Sequence, residues 1–117
     1  MKNFETFTEE IKKQLLNVKI MNNTDFRYKK YYNMTEEERH GEFITLYDPT
    51  KDKSYFKIVE FKYGYEYKGG CTFHIMCEVH SWKKPELHEM KMEIYEDGEY
   101  VISGVYISFE YWGKIDM

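Results

Sequence analysis

Residues 71–82, CTFHIMCEVHSW, restrict the fold more than any other stretch, because apolar and mixed side chains alternate there with the period of a strand. In that conformation Cys71, Phe73, Ile75, Cys77 and Val79 share one side, and Thr72, His74, Met76, Glu78, His80 and Trp82 the other. The first set is a core face. The second mixes histidine, methionine and tryptophan without spelling out a reaction.

The strand needs a partner layer, and residues 3–18 supply one. Phe4, Phe7, Ile11, Leu15 and Val18 recur at steps of three and four, with acidic residues early and Lys12 and Lys13 late, which predicts an amphipathic helix whose charges run with its dipole. Asn22 and Asn23 read as a turn, and residues 24–33 as an edge strand whose alternation breaks at Tyr31. In TEEERHG, Thr35 and Glu38 form a capping box and Gly41 can take the left-handed cap after His40, so a helix of little more than one turn is expected.

From Glu42 onward the period is two. A short strand is predicted over 42–47, turn chemistry at Asp48 and Pro49, and a long strand over 55–67 with Val59, Phe61, Tyr63 and Tyr65 inward and Glu60, Lys62 and Glu66 outward. A three-residue loop at Lys68, Gly69 and Gly70 would oppose Tyr65 to Phe73, Tyr63 to Ile75 and Phe61 to Cys77, so that apolar faces match. Across Lys83 to Leu87 the same core is shared if Cys77 meets Met92 and Ile75 meets Ile94. Asp97-Gly98 signals a two-residue hairpin pairing Ile94 with Val101 and Met90 with Val105, and Gly104 in mid-strand suggests a bulge or a close backbone approach. The predicted architecture is α+β, one domain over residues 1–117, with an N-terminal amphipathic helix packed on a curved antiparallel meander of about five strands.

Charge narrows the function. With 17 Lys and Arg against 21 Asp and Glu the chain is mildly acidic, which disfavours direct nucleic-acid or anionic-lipid binding, since both need a basic surplus. The interleaved FRYKKYY at 26–32 resembles a single-strand binder in composition, but an edge strand protected by charge explains it as well. No apolar run approaches the roughly 20 residues that cross a bilayer, and the N-terminus alternates charge from Lys2, so a cytoplasmic protein with no membrane contact is expected. Cys71 and Cys77 lie about 20 Å apart along one strand, too far for a disulfide, and read as buried thiols of a reducing compartment.

Catalytic chemistry finds little support. Cys77 points away from His74 and His80, which are themselves about 20 Å apart, and His88 falls on the core side or its rim, so no metal site and no cofactor are expected. Phosphate-binding loops, dinucleotide fingerprints and nucleophile elbows are missing from the sequence, and Glu78 with Glu93 is a weak carboxylate pair on an exposed face. The more informative feature is the second sheet face. Met76, His74, His80 and Trp82, with Tyr100, Ile102, Tyr106 and Trp112 on the last strand, are large for a wetted surface, and Trp, Tyr and Met favour interfaces. The expected function is a non-enzymatic protein-binding module, such as a small inhibitor or an immunity or counter-defence protein, that occludes a larger enzyme or nucleoprotein complex. A second copy of the chain would satisfy the same face. The alternative is a small-ligand binder with a cavity between helix and sheet lined by Tyr63, Tyr65, Met90 and Met92.

Overall fold

The computed structural model describes residues 4–21, 33–45, 55–80 and 84–116. Helix α1 spans Phe4–Leu15, and β1 Ile20–Met21 follows it; α2 is Glu36–Arg39. Six further strands follow among the described residues: β2 Phe43–Thr45, β3 Tyr55–Tyr67, β4 Gly70–His80, β5 Glu86–Tyr95, β6 Glu99–Gly104 and β7 Phe109–Lys114. They form one antiparallel sheet in the order β1-β3-β4-β5-β6-β7-β2, so β3 to β7 are a five-strand meander with a short strand at each edge. The predicted α+β architecture is the observed one. The turn at Asn22, the edge strand with FRYKKYY, the turn at Asp48 and Trp82 lie outside the described residues.

Burial of one helical face holds α1 on the sheet. Phe7 and Ile11 are fully buried and Leu15 nearly so, in one cluster with Ile75, Met90, Met92, Ile94 and Ile102. The helix stops earlier than the spacing predicts because Asn17 adopts a left-handed φ of 60° and donates its N–H to the Ile58 carbonyl at 2.7 Å, leaving Val18 exposed. The side-chain amide of Gln14 donates to the Asp116 carbonyl at 2.8 Å and accepts from the Asp116 N–H at 2.9 Å, tying α1 to the end of the chain. Helix α2 has the expected capping box, with the Glu38 N–H on Thr35 Oγ1 and the Thr35 N–H on Glu38 Oε1, and Gly41 takes a φ of 85°.

The alternation of β4 is as read: Cys71, Phe73, Ile75, Cys77 and Val79 are buried. The registers around it are not. A two-residue turn of Lys68 and Gly69 (φ 94°) closes β3 on β4, and bulges at Val59 and Lys62 each insert an extra residue into β3. Each bulge exchanges which residues face the core, so Phe56 and Ile58 point inward, then Phe61, then Gly64. Gly64 rather than Tyr65 opposes Phe73, Phe61 rather than Tyr63 opposes Ile75, and Ile58 rather than Phe61 opposes Cys77. Tyr63 and Tyr65 are thereby moved to the outer face, 58% and 53% exposed.

Strand β5 slides along β4 without changing face: Cys77 meets His88 and Ile75 meets Met90, while Met92 opposes Phe73. The β5–β6 loop has three residues, because a turn closed by Gly98 N–H on the Tyr95 carbonyl is followed by Gly98 at φ 93°, with Asp97 Oδ1 accepting from the Glu99 N–H. Ile94 therefore opposes Tyr100 instead of Val101, and this slip of one residue sends Tyr100 and Ile102 into the core. Gly104 ends β6 at a close approach, where a Cβ would sit 2.2 Å from the Ile107 carbonyl oxygen. The sheet curls until strands at its two ends meet: the Phe56 ring on β3 contacts Phe109 and Tyr111 on β7, with centroids 5.1 and 4.9 Å apart.

Candidate protein-interaction face

With α1 seated in the concave side, the outer face of the sheet is the surface on which strand side chains are presented. Register builds it in rows. Tyr63, His74, Lys91, Ser103 and Glu110 oppose one another from β3 to β7; the next row carries Tyr65, Thr72, Glu93, Val101 and Trp112. Tyr67 opposes Gly70, which opposes Tyr95. Tyr63, Tyr65 and Tyr67 thus form a file along the end of β3, with Tyr67 and Tyr95 each 39% exposed.

Neighbours fix part of this end of the face. The Tyr63 ring stacks on His74 at 4.3 Å and 21°. Glu93 takes the Lys91 ammonium at 3.1 Å and the Tyr95 hydroxyl at 3.4 Å. That carboxylate raises the Lys91 pKa, and burial followed by the Glu93 charge raises that of Tyr95. At the opposite end of the face the polar groups satisfy one another: Tyr55 donates to Glu78 at 2.9 Å, Lys57 reaches the same carboxylate at 3.7 Å, Lys19 lies over the Tyr55 ring, and His80 packs against that ring at 5.3 Å. The hydrogen bond to Glu78 is the main reason the Tyr55 pKa is raised.

The residues expected on this face divide. His74, Met76 and His80 are on it and half-buried. Trp112 is on it too, with its indole N–H donated to Glu110 and its ring near His40. Tyr106 belongs to the turn after β6 and is 80% exposed, beside the face rather than within it. Tyr100 is corrected to the core, where it is 3% exposed, because the three-residue loop sets its register; it cannot contact a partner there. The ligand cavity is corrected as well. Tyr63 and Tyr65 lie on the outer face and Met90 and Met92 are fully buried on the other, so the four line no common space. An open cleft of about 450 Å³ borders the first turns of α1 instead, with Glu5, Thr6, Thr8 and Glu9 among its lining. Sequence reasoning missed Tyr67 and Tyr95 and placed Tyr63 and Tyr65 inward; no local signal in β3 marks its bulges.

Chemistry on the remaining groups is limited. Cys77 is wholly buried and its thiol is pushed up to about 12; Cys71 reaches about 12 through burial and then the Glu66 charge. Glu78 opposes Leu87 and Glu93 opposes Thr72, about 20 Å further along β4, so the two carboxylates do not converge. Among the described residues there is no cluster of three or more His, Cys, Asp or Glu fit to hold a metal ion, and no helix long and apolar enough to cross a membrane. Comparisons with protein families, characterised proteins and solved structures found no match to this chain.

Proposed function

We propose that this chain is a non-enzymatic protein-binding module that occludes a larger macromolecular target through the tyrosine end of its outer sheet face. The observation that carries this is the file Tyr63, Tyr65 and Tyr67, which stands 58%, 53% and 39% exposed on a strand paired throughout with β4, the Tyr63 ring being stacked on His74. A tyrosine offers a large apolar ring and a hydroxyl at the cost of few rotatable bonds, so a row of them on a paired strand loses little entropy when a partner covers it. The surrounding Lys91, Glu93 and Lys68 supply a polar rim to an apolar centre. Action by coverage needs no convergent acid and base, which suits a small inhibitor or immunity-type protein directed at an enzyme or nucleoprotein complex.

The test is capture of the target by the tagged chain from its own cells, followed by affinity measurement on variants. Tyr63→Ala and Tyr67→Ala should each weaken binding by roughly tenfold or more, the loss expected of a central aromatic anchor, with an unchanged melting temperature. Wild-type affinity in both variants would remove this face from the interaction.

A further inference from the structure

We infer that the edge of β3 that no described residue borders beyond Ile58 pairs with the same edge of a second copy, joining the two sheets about a twofold axis at Tyr65. Among the described residues, β1 borders β3 only at Tyr55 and Phe56, Leu16 bridges Ile58, and no strand lies beside β3 beyond that point. From Tyr63 to Tyr67 the ladder to β4 is regular. A two-residue turn closes on Tyr67 and Gly70 as a hydrogen-bonded pair, so alternation commits the N–H and C=O of Tyr63, Tyr65 and Tyr67 to β4. The backbone groups of Gly64 and Glu66 consequently face the open edge.

Those two residues complement each other. In an antiparallel pairing centred on Tyr65, Gly64 of one copy opposes Glu66 of the other, twice, giving two reciprocal hydrogen-bonded pairs on either side of a non-hydrogen-bonded Tyr65 pair. Glu66 is exposed, and the position it would face carries no side chain: a Cβ at Gly64 would sit 2.5 Å from the Phe73 ring that already covers it. The two Glu66 side chains lie diagonal to each other across the axis and, being exposed, keep their carboxylates in water above the bare Gly64 positions. On the outer face Tyr63 opposes Tyr67 of the second copy, which merges two files into one. The bulge at Lys62 ends the regular edge, and the interface is isologous, so pairing closes at a dimer instead of propagating.

Sedimentation of the purified chain over a concentration series tests this. The expected result is a rise from the 14.4 kDa chain mass to twice that value. Glu66→Pro removes an N–H that serves only the second copy, and proline is tolerated where a strand N–H faces outward, so this variant should stay monomeric with an unchanged circular dichroism spectrum. Tyr65→Lys and Tyr65→Glu each set like charges against themselves across the axis and should be monomeric alone, whereas their mixture should dimerise. A wild-type chain that remains monomeric throughout, a dimer that survives Glu66→Pro, or a mixture that stays monomeric would each overturn the pairing. Target capture is read separately: a monomer that still binds its target sinks the dimer and leaves the tyrosine face, and a dimer without a target does the reverse.

Discussion

Cys77 and Tyr100 are fully or almost fully buried, and burial leaves both hard to ionise. The Cys77 thiol is pushed up to about 12, while Cys71, Tyr100 and Tyr111 are shifted in the same direction, burial being the leading cause in each. For Tyr111 the nearby Glu42 carboxylate adds to the rise, and the Tyr100 hydroxyl opposes it. The sign for stability follows from linkage. An acid whose pKa is higher folded than unfolded releases its proton more readily when unfolded, so stability is constant below the unfolded value and falls as pH climbs toward the folded one. Denaturant midpoints should therefore hold steady up to about pH 9, decline from there toward 12 by roughly 1.4 kcal/mol per pH unit for each thiol, and steepen above about pH 10 where the two tyrosines join. Cys77→Val, which lacks the titrating thiol, should decline less steeply. A profile flat to pH 12 would mean that these groups ionise in place.

At the scale of elements, α1 is attached to the rest of the fold at three kinds of point: the buried Phe7, Ile11 and Leu15, the Asn17 N–H on Ile58, and the Gln14 amide clasping Asp116. Gln14→Ala removes both bonds of the clasp and should cost about 1 kcal/mol, the net value of an exposed pair, while speeding hydrogen exchange at the Asp116 amide. Gln14→Glu keeps an acceptor for that N–H and should recover part of the protection. Elements whose signal is local were legible in the sequence for the same reason that this clasp was not. The helical spacing of Phe7, Ile11 and Leu15, the Thr35–Glu38 box and the alternation of β4 are written in consecutive residues. Register depends on how two strands fit. Nothing near Val59 or Lys62 announces an extra residue, and DG at 97–98 fits a two-residue loop as well as the three-residue one observed. Tyrosine compounds the problem, because its ring suits a core and its hydroxyl a surface: Tyr100 and the pair Tyr63 and Tyr65 exchanged sides without any conflict of polarity.

For the whole molecule, the curl of the sheet relates stability to the proposed interaction face. Phe56 on β3 sits edge-on to Phe109 and Tyr111 on β7, so among the described residues rings, and no closing ladder, join the two ends of the meander. The concave side is filled by α1, and the proposed recognition surfaces are the convex face and the β3 edge. Phe56→Ala should cost about 3–5 kcal/mol, a large share of the roughly 5–15 kcal/mol available to a domain of this size. The loss should appear as a lower urea midpoint with little change in slope, since one cooperative core is weakened and no new surface is exposed before it unfolds. Phe56→Leu keeps most of the volume and should lose less. The tyrosine file gives the argument a second readout. Tyr63 to Tyr67 lie at the far end of β3 from Phe56, on a stretch paired with β4, and the three tyrosines there are exposed whereas Phe109 and Tyr111 are buried in the core. Target affinity of Phe56→Leu should therefore match the wild type wherever the variant is folded. Weaker binding by a fully folded Phe56→Leu would mean that the curl itself shapes the face, and that the partner reads the curvature of the sheet as well as its side chains.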